Sequence, residues 1–210
     1  MNIDFEPVIS ALFTHLQGAA TIQFTADATS GSPTLADVSN FSGLFAGLPV
    51  FGPGAARFTT IQALDEGART VTLADPLSAG GSGVGFTTGF LTTGRRVPHW
   101  SQVSAQPALF LRRIGVTDEY DGLFSRTTLE CEAWIYANAG KNPNATPDVT
   151  LANLEQLVRQ SFAPDGDYGD PRFTLGGLVY WCRIQGRGDS SPGDQGGQAI
   201  SRIPVRITLP

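Results

Sequence analysis

The chain has 210 residues, of which 41% are hydrophobic and 16% are charged, enough to bury a core in one domain or in two small ones. Its 25 glycines and 14 prolines favour turns and short strands, so an all-α fold is not expected. The net charge of −5 argues against a duplex-DNA binder, because such proteins need clustered cations to displace counterions.

Apolar residues near the start of the chain recur at spacings of three and four, which is typical of a helix packed on one side. We expect Asp4 to cap this helix and Pro7 to lie in its first turn, where a missing N–H is tolerated. No secretory pattern or bilayer-length apolar window is visible, so we expect a chain that starts in the cytoplasm and has no membrane partner. The stripe consists of Phe5, Val8, Ile9, Leu12, Phe13 and Leu16.

Residues 19–94 are rich in glycine and threonine and poor in charge, which indicates a separate β-rich domain. The clearest local prediction there is a hairpin with arms Phe58–Leu64 and Arg69–Leu73, because both arms alternate and Asp65–Gly67 supplies turn residues. The ends of this insertion must approach each other if residues 1–18 and 95–210 form one discontinuous domain.

The segment after Gly94 begins with two predicted strands. Gln106–Ile114 is entered through a proline, which is allowed at the start of a strand. Thr127–Ala137 alternates and is the clearest central strand. Two acids on one of its faces indicate that this face contacts either solvent or the arginines of a partner. The first face carries Leu129, Cys131, Ala133 and Ile135, and the second carries Glu130, Glu132, Trp134 and Tyr136.

A second helix is predicted next, with Thr150 as its N-cap and an apolar stripe from Leu151 to Phe162. Gly176–Ile184 and Ala199–Leu209 predict the last two strands, and Gly186–Gly197 between them predicts a polar loop. Together the elements predict an α+β fold, with two helices packed on a mainly antiparallel sheet and an inserted small all-β domain.

Side chains for catalysis or metal binding are few. A hydrolytic triad needs a histidine, and the chain has two. His15 is expected at the surface or boundary of the first helix, and His99 has no glycine-flanked serine or activated cysteine nearby in sequence. Cys131 and Cys182 are expected as reduced core residues. The sequence therefore predicts no enzyme, no metal site and no cofactor.

Asp165, Asp167 and Asp170 are spaced like the first ligands of a calcium loop. The match then fails, because Gly169 occupies a ligand position and Gly176 stands where a glutamate is required. A weak divalent-ion site and a solvated acidic turn both stay open, and the acidic turn is preferred.

Four short motifs follow the first helix in the outer segments, in a fixed order. They are Trp100; Gln106, Pro107, Ala108, Leu109 and Phe110; Leu175, Gly176 and Gly177 after Thr174; and the closing Ile203–Pro210. In this order they resemble the tail terminator proteins of bacteriophages with long, non-contractile tails. The insertion at residues 19–94 departs from that pattern.

The resemblance implies a small α/β fold and a hexameric ring at the head-proximal end of the tail tube, where it stops tube growth and joins the tail to the head. The partners implied are further copies of the chain, the tail tube protein and the head–tail connector, with genomic DNA passing through the lumen without specific binding. The location implied is the neck of the virion, after assembly in the cytoplasm of the host bacterium. The insertion is expected to project from the ring's outer wall, or alternatively to contact the connector or cover the neck.

Charged side chains on the predicted strands are the candidates for contacts between subunits, an ordinary solvated sheet face being the alternative. Some of the arginines are expected to pair with acids of a neighbour. The candidates are Arg112, Arg113, Arg183, Arg202, Arg206, Glu130 and Glu132. Candidates for the lining of the lumen are Asp165, Asp167 and Asp170.

Trp100 and Phe110 are expected in the core, with a role as contact residues as the alternative. The glycines of Leu175–Gly177 are expected to allow a bulge or a close backbone approach at the start of a strand. Two other functions stay open. One is another ring, tube or minor tail protein. The other is a carbohydrate- or surface-binding module with an aromatic face formed by Phe41, Phe45 and Phe51.

Overall fold

The computed structural model describes residues 4–56, 59–103, 105–121, 124–138, 147–165, 170–191 and 198–210. This part of the chain has the predicted α+β fold, with two helices, a short 3₁₀ helix and two sheets. The helices are α1 (Glu6–Ala20), α2 (Pro147–Gln160) and the 3₁₀ helix Trp100–Gln102. The first sheet contains β1 (Thr21–Ala28), β2 (Thr34–Ala36), β3 (Val50–Phe51), β4 (Ile61–Asp65), β5 (Thr70–Leu73) and β6 (Gly81–Gly89). The second sheet contains β7 (Thr92–Gly94), β8 (Ala108–Asp121), β9 (Phe124–Asn138), β10 (Trp181–Ile184), β11 (Asp189–Ser191) and β12 (Gln198–Thr208).

Helix α1 buries the apolar stripe that its sequence predicts. Pro7 lies in the first turn, as predicted, but the N-cap is Phe5, whose side chain makes no capping hydrogen bond, so the prediction that Asp4 caps the helix is wrong. Asp4 precedes the cap, and its carboxylate accepts a hydrogen bond from the Glu6 N–H at 3.0 Å. Because the helix runs directly into β1, it fixes one end of the first sheet. Its buried residues are Val8, Ile9, Leu12, Leu16 and Ala20.

The first sheet closes into a small antiparallel barrel. Its strand order is β3-β6-β1-β2-β5-β4, and Pro49 pairs with Thr60 where the two edges meet. Ile61 also donates its N–H to the Leu48 carbonyl at 2.9 Å across this seam. Closure pairs the two edge strands with each other over a short seam, which shortens the edge open to another chain. The β4–β5 hairpin is confirmed by the Asp65–Thr70 pairing, while Phe58 lies outside the described residues.

The second sheet has the order β10-β12-β9-β8-β7, and β11 also pairs with β12. The β7–β8 pair is parallel and the other pairs are antiparallel, with β9 central as predicted. Helix α2 packs on one face, where Glu155 accepts a hydrogen bond from Ser201 at 2.6 Å. Buried residues of both helices and both sheets form one continuous core.

Several predicted boundaries in the outer segments are wrong. The strand predicted at Gln106–Ile114 is β8 and runs on to Asp121, and the strand predicted at Thr127–Ala137 is β9 and begins at Phe124. Helix α2 begins at Pro147, so Thr150 lies inside it and is not the N-cap; proline is well suited to the first helical position. The strand predicted at Gly176–Ile184 begins only at Trp181, because the residues before it form turns. The loop predicted at Gly186–Gly197 contains β11, which pairs with the free edge of β12.

The ends of the barrel are adjacent. Thr21 and Gly89 are register partners, and Phe90 donates its N–H to the Ala20 carbonyl at 3.1 Å. Strand β7, which falls inside residues 19–94, belongs to the second sheet. The division into an inserted domain and a discontinuous outer domain stays a prediction. Within the described ranges, neither helix combines the length and apolarity of a membrane span.

Candidate functional site

The second sheet has two different faces because side chains alternate along its strands. The face under the helices buries Leu129, Cys131, Ala133 and Ile135, as predicted. Cys131 and Cys182 are both buried and free of disulfides. Burial raises the pKa of the Cys131 thiol to about 11 and also raises that of Cys182, so neither is an activated nucleophile. We call the opposite surface of this sheet the open face.

Six of the seven charged candidates lie on the open face, since strand register aligns them across neighbouring strands. Glu130 lies opposite Arg206, which lies opposite Arg183. Glu132 lies opposite Arg112, and Arg202 completes the set beside Trp134. The seventh, Arg113, is on the helix-covered side, with its guanidinium 5.0 Å from the centre of the Phe5 ring.

Contacts on the open face join charges to aromatic rings. Arg206 donates to Glu130 at 2.9 Å, and both side chains are about a third exposed (36% and 37%). Arg202 lies 5.3 Å from the centre of the Trp134 ring and forms an ion pair with Asp189. The Trp134 indole donates to Glu132 at 2.9 Å. Glu130 is thus paired within its own chain, and its pairing with a neighbouring subunit stays a prediction.

Arg183 differs from the other arginines of this face. Its guanidinium lies 4.0 Å from the centre of the Trp181 ring, and its register partner is another cation, Arg206. Its Nε is buried and has no hydrogen-bond acceptor in the described part of the chain. A buried donor without a partner is costly, and the open face holds one such N–H in the Arg183 side chain. Sequence reasoning missed this arrangement, although the two-residue spacing from Trp181 to Arg183 within one strand places both side chains on the same face.

One end of the open face is covered. Phe110, which is 6% exposed, packs with Ala108 and Tyr136 under Val97 and Val103, so its predicted core position is confirmed. The Tyr136 hydroxyl donates to the Pro98 carbonyl at 3.1 Å, and burial raises the pKa of that phenol.

The remaining residues of the Gln106–Phe110 motif lie at this covered end. Pro107 and Leu109 are buried, Leu109 on the helix side, and the Gln106 side-chain oxygen is buried without a donor among the described residues. The Trp100 side chain lies outside what the structure describes.

Asp165 stabilises the turn that carries Leu175–Gly177. Its carboxylate accepts hydrogen bonds from the N–H groups of Thr174 (2.6 Å) and Gly176 (2.8 Å) and from the Thr174 hydroxyl (3.0 Å). Burial alone would raise the pKa of Asp165, but these hydrogen bonds outweigh it and hold the pKa below its ordinary value.

The explanation of the two glycines as a bulge or a close approach is wrong. Leu175, Gly176 and Gly177 all have positive φ angles (53°, 67° and 86°), and a Cβ added at either glycine would meet nothing within 4 Å. The glycines are needed for their left-handed backbone and not for space.

Asp170 is held by Arg172, which donates Nε at 2.8 Å and Nη2 at 2.7 Å. This hydrogen bonding lowers the pKa of Asp170. Asp167 lies outside the described residues. No group of three or more histidine, cysteine or acidic side chains that could hold a metal occurs in the described ranges. A place for these aspartates on a lumen wall stays a prediction.

A cleft of about 670 Å³ lies between α1 and the Leu175 turn. Its titratable side chains are engaged in the fold: His15 Nε2 lies 2.6 Å from the Ser161 carbonyl, and Asp165 holds the turn. His15 is half-buried at the helix boundary, as expected. The aromatic face proposed for the insertion is not present as an exposed row, because its members are half-buried. They are Phe41, Phe45 and Phe51.

Comparison with known proteins does not place the chain in a family. No protein-family model matches it, and a search of the curated proteins finds no relative. Inference about its function therefore depends on the sequence motifs and on the geometry of the open face.

Proposed function

We propose that this protein is a ring-forming virion component that acts as the tail terminator of a phage with a long, non-contractile tail. The observation that carries the proposal is the open face, where half-exposed arginine, glutamate and tryptophan side chains are aligned across neighbouring strands. Arginine and aromatic residues are enriched at protein interfaces, and charged pairs set which partner fits. The order of the short motifs in the outer segments supports the same proposal.

The proposed mechanism needs no catalytic residue. Subunits joined head to tail by two different surfaces close into a ring when the rotation between them fits a whole number of copies. Such a ring ends tube growth if one side binds the last tube subunits and the other side presents no site for the next. Six copies of a chain with net charge −5 carry −30, which would keep passing DNA from adhering to the wall.

We expect a phage that lacks this gene to make tails of irregular, excessive length that are not joined to filled heads. Without a terminator, nothing stops addition of tube subunits and nothing presents the surface that the head connector binds. Electron microscopy of the particles measures tail length and head attachment, and supplying the wild-type gene in trans is the control that restores both. Tails of normal length and attachment would refute the proposal, and loss of tails altogether would indicate a tube protein instead.

A further inference from the structure

We infer that the tip of the β8–β9 hairpin of one copy lies on the open face of the next copy and forms the contact between subunits. We call this tip the arm; it consists of residues 118–121 of β8 and 124–127 of β9. The inference rests on the proposed function in one respect, namely that the partner is a second copy of this chain.

The arm extends past the rest of the second sheet. Leu209 donates its N–H to Thr127 at 2.9 Å, and this is the last backbone hydrogen bond from the β12 side in the described residues. From there to the Asp121–Phe124 pair, the described backbone of the two strands pairs only with itself. Four residues of strand extend about 13 Å. A two-stranded hairpin by itself is only marginally stable in water, so packing against another surface would stabilise the arm.

Among the side chains that the structure describes, the arm presents one large aromatic ring and two acids without ion pairs. Tyr120 is 79% exposed. Asp118 accepts a hydrogen bond from the Thr127 hydroxyl at 2.7 Å but has no cationic partner in the described ranges. Glu119 is the register partner of Arg126, whose guanidinium instead lies 6.0 Å from the Tyr180 ring, so Glu119 also lacks a described cation.

The open face presents the complementary groups. Arg112 is exposed and Arg183 is half-exposed, and neither forms an ion pair among the described residues. Side chains alternate along β8, so Glu119 lies on one side of the arm, and Asp118 and Tyr120 lie on the other. Each side of the arm thus carries an acid without a described ion pair, which matches the cations of the open face, and the half-exposed Trp134 and Trp181 rings offer contacts for Tyr120. Because the arm and the open face are different surfaces, the contact is head-to-tail and can close a ring.

Two variants test the inference when they are studied alone and mixed. The arm variant carries Glu119→Gln and Tyr120→Ser, and the face variant carries Arg112→Glu and Arg183→Glu. Each alone is expected to be monomeric, with the concentration needed for assembly raised about 30-fold or more, as for loss of an interface hot spot. Their equimolar mixture is expected to form a one-to-one dimer, because one intact arm then meets one intact face. Analytical ultracentrifugation measures each state, and circular dichroism checks that each variant is folded.

The control variant carries Arg69→Glu and Arg159→Glu, the same change of charge as in the face variant at sites on the barrel and on α2. It is expected to assemble like the wild-type chain. A wild-type chain that stays monomeric, an arm variant that still forms rings, or a mixture without the dimer overturns the inference. If the arm variant forms rings while phage without the gene make overlong tails, the arm contact is wrong and the terminator proposal stands. If phage without the gene make normal tails, the terminator proposal is refuted, whatever the chain does in solution.

Discussion

Replacing Gly89 with alanine is expected to lower the free energy of unfolding by about 3 kcal/mol. Gly89 ends β6 with a φ of +90°, a left-handed conformation that costs other residues energy. An added Cβ would also lie 2.1 Å from the Ala20 carbonyl oxygen and 3.0 Å from Leu157, so the backbone must shift. The loss is large because this glycine is where the barrel meets both helices.

Gly31→Ala is the matched control for this prediction. Its φ is +82°, but an added Cβ meets nothing within 4 Å, so only the conformational cost of about 1 kcal/mol remains. Urea unfolding followed by circular dichroism measures both variants. Equal losses at the two positions would show that the barrel does not pack against the end of α1 as the structure describes.

Phe110→Ala is expected to lower the free energy of unfolding by about 3–5 kcal/mol, the usual cost of emptying a buried aromatic site. The Phe110 ring packs edge-on against Tyr136, with ring centres 5.7 Å apart, beneath the segment that covers this end of the open face. Truncation at an exposed site, Leu91→Ala (41% exposed), is expected to cost about 0.5 kcal/mol.

Thermal and urea unfolding of the isolated chain distinguish the two roles considered for Phe110. If Phe110 is a core residue, its replacement lowers the free energy of unfolding of the chain in every assembly state. If the Phe110→Ala variant kept wild-type stability but failed to assemble, Phe110 would be a contact residue, and its place in the described core would be wrong.

Helices and strands with a regular pattern of apolar and polar residues along their own sequence could be predicted. Helix α1 and strands β9 and β12 each have a long, regular pattern of apolar and polar residues, and the β4–β5 hairpin adds turn residues to it. Closure of the barrel at Pro49 and Thr60 could not be predicted, because it depends on pairing between the two edge strands of the sheet, which no local pattern specifies. The parallel β7–β8 pair could not be predicted either, because β7 has only three residues, too few for an alternating pattern.

The candidate site was predicted in part for the same reason. The alternation along β9 predicted that Glu130 and Glu132 share one face. It could not predict which residue lies opposite Glu130, because that depends on the register between β9 and β12, which places Arg206 there. Arg112 and Arg113 are neighbours in sequence and so point to opposite faces of β8, and only the first reaches the open face. The role of Asp165 was missed because its hydrogen bonds reach residues nine to eleven positions later.

Copies of this chain are proposed to form one ring that ends the tail tube. Cryo-electron microscopy of mature virions tests this proposal most directly, because the reconstruction shows where the chain lies and how many layers it forms. We expect a single ring at the junction of head and tail. Density for this chain repeated along the tube, or located anywhere other than that junction, would contradict the proposal.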